Sequence, residues 1–147
     1  MSWKSLPGAI ASLLLLAACA APPPPPPPTS VNLSITGGSD MNGGAPAQVK
    51  VYYLASPAGF GTGDFFALFD TPEATLGADL IAVDTFQLAP DRTVTNSREF
   101  TTNPTAVGVV AAFRAIDGAT FKALRPLTPN TRNPVTVTLS GNRVAIQ

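Results

Sequence analysis

Acid–base, nucleophilic and metal chemistry all need particular side chains, and this chain of 147 residues has few of them: no His and one Cys, Cys19. Without imidazole there is no base for a Ser or Cys nucleophile, and without a Cys/His set there is no zinc site. Carboxylates are the remaining acid–base resource. Asp79 and Asp84 flank the start of a predicted strand and Glu99 lies on another, but no spacing brings two of them into one apolar cleft as a glycosidase pair requires. Asp40 and Asn42 sit among glycines and lack the further acidic ligands that calcium takes. Gly59-Phe60-Gly61-Thr62-Gly63-Asp64 falls between a strand and a helix, where a dinucleotide-binding turn would be. Asp64, however, takes the place of the third glycine, where it would repel a pyrophosphate, and no Lys follows as in a phosphate loop. Asp64 or Thr62 reads better as a helix cap. Nine Lys plus Arg balance nine Asp plus Glu, so no basic field draws in nucleic acid. These residues describe a chain that is not an enzyme, with no metal, no cofactor and no small-molecule substrate.

The chemistry that does stand out is a modification site. Met1 to Ala18 has one cation, Lys4, and then an apolar stretch from Leu6 to Ala18 centred on four leucines, the layout of a secretory signal peptide. A membrane-spanning helix needs about 20 residues, more than this stretch provides. It ends Leu16-Ala17-Ala18-Cys19, which resembles the lipobox of bacterial lipoproteins, in which the cysteine is lipidated and becomes the mature N-terminus. The plainer alternative is a soluble periplasmic protein whose odd Cys lies near an ordinary cleavage site. Several acyl chains, each contributing about 0.8 kcal/mol per buried methylene, make such an anchor effectively permanent. In lipoproteins of this type an Asp after the cysteine favours the inner membrane, so Ala20 implies the periplasmic face of the outer membrane. Pro22 to Pro28 follows. Proline lacks the amide hydrogen and fixes φ, so this run predicts a stiff polyproline spacer of roughly 22 Å. Such a run is also the type of ligand that aromatic grooves bind.

These sites must be carried by the remainder, residues 31 to 147, which is the size of one ordinary domain. Its hydrophobic period is mostly two. Val31, Leu33 and Ile35 alternate with polar residues, and Gln48 to Leu54 forms a second strand. Ile81 to Leu88 is a third, whose alternation changes phase in a way that a bulge near Asp84 and Thr85 would repair. Thr93 to Thr101 is polar and suits an edge, whereas Ala106 to Arg114 is apolar on both faces and suits a covered central position. Asp117-Gly118 predicts a type I′ turn pairing Thr120 to Pro126 back on it. Val135 to Leu139 and Arg143 to Ile146, joined by Gly141-Asn142, complete about eight strands. One stretch, at about 60–78, has helical spacing instead. Phe65, Leu68 and Phe69 stand at i, i+3, i+4, Thr71-Pro72-Glu73 starts a second helix and Gly77 ends it. Phe65, Phe66, Leu68 and Phe69 are expected to pack against a sheet face or close one end. An aromatic ligand pocket is the sharper reading of the same rings.

The lipobox, Val49-Lys50-Val51-Tyr52-Tyr53-Leu54, Asp64-Phe65-Phe66-Ala67-Leu68-Phe69-Asp70, Leu76-Gly77-Ala78-Asp79-Leu80 and Val107 to Arg114, in that order and spacing, together resemble the TssJ family. These are outer-membrane lipoproteins of the bacterial type VI secretion system. The resemblance covers essentially all of the chain after the proline run. It implies an all-β, transthyretin-like β-sandwich with a small two-helix insertion, serving as a structural piece of the envelope-spanning complex. It also implies that the loop between the first two strands contacts the periplasmic domain of the inner-membrane component, TssM. On this chain that loop is Gly37, Gly38, Ser39, Asp40, Met41, Asn42, Gly43, Gly44, Ala45, Pro46 and Ala47. It is glycine-rich and poor in large side chains. Strands can be joined by far shorter loops, so its length suggests a contact role rather than a folding one. Asp40, Met41 and Asn42 are its largest side chains, with Met41 placed to enter a partner's apolar pocket and the other two to hydrogen-bond at its rim. The competing reading is a generic sandwich lipoprotein that binds a sugar or other small ligand, which exposed aromatics lining a cleft would favour.

Overall fold

The structure is a computed structural model that describes residues 19–147; the signal peptide expected over residues 1–18 lies outside them. Eight strands are present: β1 (Thr29–Gly37), β2 (Ala47–Leu54), β3 (Leu80–Leu88), β4 (Thr93–Phe100), β5 (Ala106–Ala111), β6 (Lys122–Pro126), β7 (Arg132–Ser140) and β8 (Arg143–Ile146). They form two four-stranded sheets, ordered β4-β1-β7-β8 and β3-β2-β5-β6. β1 and β7 run parallel, and every other pairing is antiparallel.

Period-two alternation explains how the sheets meet. Val31, Leu33 and Ile35 of β1 and Val135, Val137 and Leu139 of β7 point inward. They meet Val49, Val51 and Tyr53 of β2 and Val107 and Val109 of β5 in one core. Each such aliphatic side chain contributes about 1.5–3 kcal/mol by leaving water. β4 is an edge strand, as its polar sequence predicts. β5 is central and buried throughout, because its outer face is covered too.

That cover is the insertion between β2 and β3. It has three short helices rather than two: α1 (Ala58–Thr62), α2 (Phe65–Asp70) and α3 (Pro72–Leu76). The additional helix, α1, overlaps the glycine-rich stretch Gly59 to Asp64, where the sequence suggests only a turn or a cap before the first expected helix. It seats Phe60 directly on the sheet, where a Cβ at Gly108 would come within 2.6 Å of the ring. Asp64 caps α2 by accepting from the Ala67 amide at 2.8 Å, and Pro72 opens α3. Gly77, at φ 53°, ends α3 in a conformation that side chains disfavour. Phe60, Leu68 and Leu76 bury themselves on Tyr52, Leu54, Ala106 and Val110 as a second core outside the sandwich.

Two local expectations are corrected. β3 pairs with β2 without interruption past Asp84 and Thr85; the irregularity lies at the strand's start, opposite Tyr53 and Leu54, where the extra residue Ile81 turns inward. Asp117-Gly118 does form a tight turn, closed by the Ala119 amide donating to Ile116 O at 3.1 Å, but it is not of type I′ and does not join the two strands directly. Only Gly118 takes positive φ, and ten residues separate β5 from β6 because Phe113 leaves the hairpin to enter the core.

Candidate partner-binding site

β1 also fixes the geometry of the site. It starts at Thr29, where the proline run enters, and ends at Gly37, where the long loop begins. The eight residue steps between place those two points about 26 Å apart, at opposite ends of the sandwich. At the entry, the Thr29 hydroxyl donates to Asn103 Oδ1 at 2.6 Å and accepts from the Asn130 amide at 2.7 Å, so the tether meets a fixed point. Cys19 is exposed, as is every residue of the proline run.

At the far end the four loops β1–β2, β3–β4, β5–β6 and β7–β8 converge. The Gly37 amide donates to Arg92 O, the Gly38 amide to Leu139 O and the Asn42 amide to Gly141 O, at 2.9, 2.8 and 2.8 Å. Asn42 is the hub. Its amide nitrogen donates to Pro46 O at 2.9 Å, and its Oδ1 accepts from the Arg114 amide at 2.7 Å. It stands at φ 49°, followed by Gly43 and Gly44 at 64° and 83°. Asn tolerates this left-handed region better than most residues, and the glycines tolerate it freely.

The loop's interior is therefore built differently from the reading above. Met41 is fully buried in the protein's own core, and Asn42 is buried with it. Neither side chain is free to reach a partner, and the loop has a folding role: it plugs one end of the sandwich. Ala45 and Ala47 are buried as well, and Gly37 is closed in by Met41 and Leu88. Ser39, Asp40, Gly43, Gly44 and Pro46 remain exposed, with Gly38 half-buried. The Asp40 carboxylate accepts from Ser140 Oγ at 3.3 Å. Beside it, an open cleft of about 210 Å³ is lined by Asn42, Gly43, Arg114, Ala115 and Asn142. Arg114 adds an exposed cation that reasoning by linear order did not connect to the loop. The distance along the chain hides it, and only the hydrogen bond from its amide to Asn42 reveals it.

The insertion carries the other unusual surface. Of its four expected apolar anchors, Leu68 is buried and Phe65 and Phe69 half-buried, but Phe66 is 65% exposed. In a helix of six residues the i and i+3 positions face the sheet, and Phe66 falls on the opposite side. Phe65 stacks on Phe69 at 5.1 Å and meets Phe66 and Phe121 edge-on at 5.3 and 5.6 Å. Beneath the helices, donors from the sheet satisfy their C-terminal carbonyls. Tyr52 donates to Leu68 O at 2.7 Å, Lys50 to Phe69 O at 2.7 Å, and Lys122 to Gly61 O and Gly63 O, both at 2.8 Å. Burial holds the Tyr52 hydroxyl far above its ordinary pKa, assisted by Glu73 and Asp70. Desolvation lowers the Lys122 ammonium, against the pull of Asp64.

Among the described residues there is no cluster of metal-ligating side chains and no helix long and apolar enough to cross a membrane. A second open cleft, about 480 Å³, lies on the outer face of β1 and β4 among Asn32, Ser34, Thr95 and Ser97. Phe66 lines neither cleft.

A family model described as "Type VI secretion lipoprotein, VasD, EvfM, TssJ" matches residues 29–142. Among solved structures, the T6SS lipoprotein TssJ1 from Pseudomonas aeruginosa is similar at 29% identity and a TM-score of 0.78, over 82% of this chain and 96% of that one. A chain of a type VI membrane complex is similar at 25% identity and a TM-score of 0.69, over 80% and 97%. The fold also matches a chain in the structure of the T6SS protein TssM C-terminal domain from EAEC, at 23% identity and a TM-score of 0.66, over 80% and 97%. No curated protein matches the chain.

Proposed function

The chain belongs to the type VI secretion lipoprotein family, and on that premise we propose that it anchors the secretion apparatus at the outer membrane by holding the periplasmic domain of the inner-membrane component TssM. Cys19 carries the lipid, Pro22 to Pro28 are the spacer, and the sandwich from Thr29 onward is the binding body. The role is structural rather than catalytic.

The observation that carries this reading is the polarity of β1. The tether enters at Thr29 and the β1–β2 loop lies at the other end of the same strand, so an anchored molecule presents that loop away from its own membrane. An inner-membrane partner approaches from that side. The contact falls to the exposed part of the loop, Gly38, Ser39, Asp40, Gly43, Gly44 and Pro46, on a base made rigid by Met41 and Asn42. Fixed loops lose little entropy on binding, which favours affinity from a small surface. A small-ligand role receives no comparable support, because the exposed aromatic lies away from both clefts.

The test is a binding titration of the purified lipoprotein with detergent-solubilised TssM. Asp40→Arg combined with Pro46→Arg alters only exposed side chains and is expected to weaken binding about tenfold, or about 1.4 kcal/mol, with an unchanged melting temperature. A folded variant that binds as the wild type moves the contact off this loop, and a wild type that does not bind TssM ends the reading.

A further inference from the structure

The helical insertion has a composition unlike the rest of the chain. Residues 55–79 include Asp64, Asp70, Glu73 and Asp79 and no Lys or Arg, whereas the cations of the described chain all lie on strands and other loops. Asp64 and Asp70 bracket Phe66 along α2, Asp70 one turn on from it at i+4, Glu73 stands on the adjoining α3, and all three are exposed; Phe66 is itself the most exposed large apolar side chain among the described residues. The lysines beneath, Lys50 and Lys122, direct their ammonium groups at helix carbonyls and are spent on holding the insertion down.

An exposed ring with exposed carboxylates on its own helix and the next is suited to a positive partner. A guanidinium or ammonium can lie over the negative face of Phe66, a contact that strengthens as water is excluded, while the carboxylates pair with neighbouring cations. The same carboxylates repel an anionic lipid surface. The face is also continuous with the loop end: Phe65 meets Phe121, the last residue of the β5–β6 loop that brings Arg114 beside Asn42.

We propose that the acidic, Phe66-centred face of the insertion is a second docking surface, taking a cationic segment of the same partner that the β1–β2 loop holds. This rests on the function proposed above. One partner engaging the end and flank of a rigid sandwich gains from the short distance between the two contacts, since the second forms at high effective concentration.

The experiment repeats the TssM titration at low and at high salt with two variants. Phe66→Ala removes the ring. Asp64→Asn combined with Asp70→Asn and Glu73→Gln removes the charge, and Asn at 64 still caps α2. Both are expected to melt as the wild type does, and each to weaken binding about tenfold at low salt, with the triple variant losing most of the salt dependence. Wild-type affinity in both variants overturns this surface and leaves the proposed function standing. Loss with Phe66→Ala alone overturns the cationic partner in favour of an apolar one. No binding by the wild type removes the function and this contact together. Sedimentation of the lipoprotein alone as a dimer that Phe66→Ala dissolves assigns the face to a second copy and overturns the proposal.

Discussion

Met41 shows how far burial can redirect a side chain's role. Its thioether chain bends to fill the irregular space where two sheets end, a task for which a flexible, unbranched residue is suited. Asn42 beside it satisfies a carbonyl and an amide from two different loops, so the pair fixes the loop from within. Met41→Ala should therefore lower stability by about 2–5 kcal/mol through the cavity it opens. Denaturant unfolding with an unchanged midpoint would show that the loop does not plug the sandwich. Replacing the whole loop by a short turn would open the core at the same point, so point variants at Asp40 and Pro46 are the cleaner probe of binding.

At the level of elements, the insertion is held by polar bonds as much as by its second core. β2 contributes to both cores through successive residues, Tyr53 inward and Tyr52 outward. At the open edge between β3 and β4, Asp84 meets Arg98 at 2.6 Å, and the guanidinium lies 5.5 Å from the Tyr53 and Phe100 rings. The Tyr53 hydroxyl is buried without a hydrogen-bond partner, and burial together with the Asp84 charge raises its pKa well beyond the ordinary 10.0. Tyr52 is raised for the same first reason. Between the unfolded value and these raised values the native state holds protons that the unfolded chain has lost. Stability is thus fully present below about pH 10 and falls as pH rises above it. Tyr52 and Tyr53 are the chain's only tyrosines, so tyrosinate absorbance should appear together with loss of circular dichroism. Absorbance rising near pH 10 in a folded protein would show that the rings are accessible.

For the whole molecule, the proposed function depends on direction: it requires an anchor at one end and contact surfaces at the other and along the flank. On that proposal, the domain would turn the position of one lipidated cysteine into an orientation. Cys19→Ser should leave an uncleaved, unlipidated precursor and abolish the outer-membrane form. Fractionation of this variant with the outer membrane, as the wild type does, would place the anchor elsewhere.

Sequence alone determined the strands, since period-two alternation in β1, β2 and β7 reflects burial of one face, a constraint that every second residue records. It also determined the edge position of β4, the covered position of β5, a helix cap at Thr62 or Asp64 and Gly77 as a stop, because these depend on neighbours within a few residues; the structure assigned the cap to Asp64. Family identity was legible from the order of several such segments, each weak alone. Tertiary structure decided what depends on contacts across the chain. A Met in a glycine-rich loop looks exposed until a second sheet arrives to bury it, and Phe66 looks like its neighbours until the orientation of α2 separates them. The bulge at Ile81 and the long β5–β6 loop were decided in the same way, by where the core needed Ile81 and Phe113 rather than by local turn preference. Local periodicity specifies which face of an element is apolar; only packing specifies what covers it.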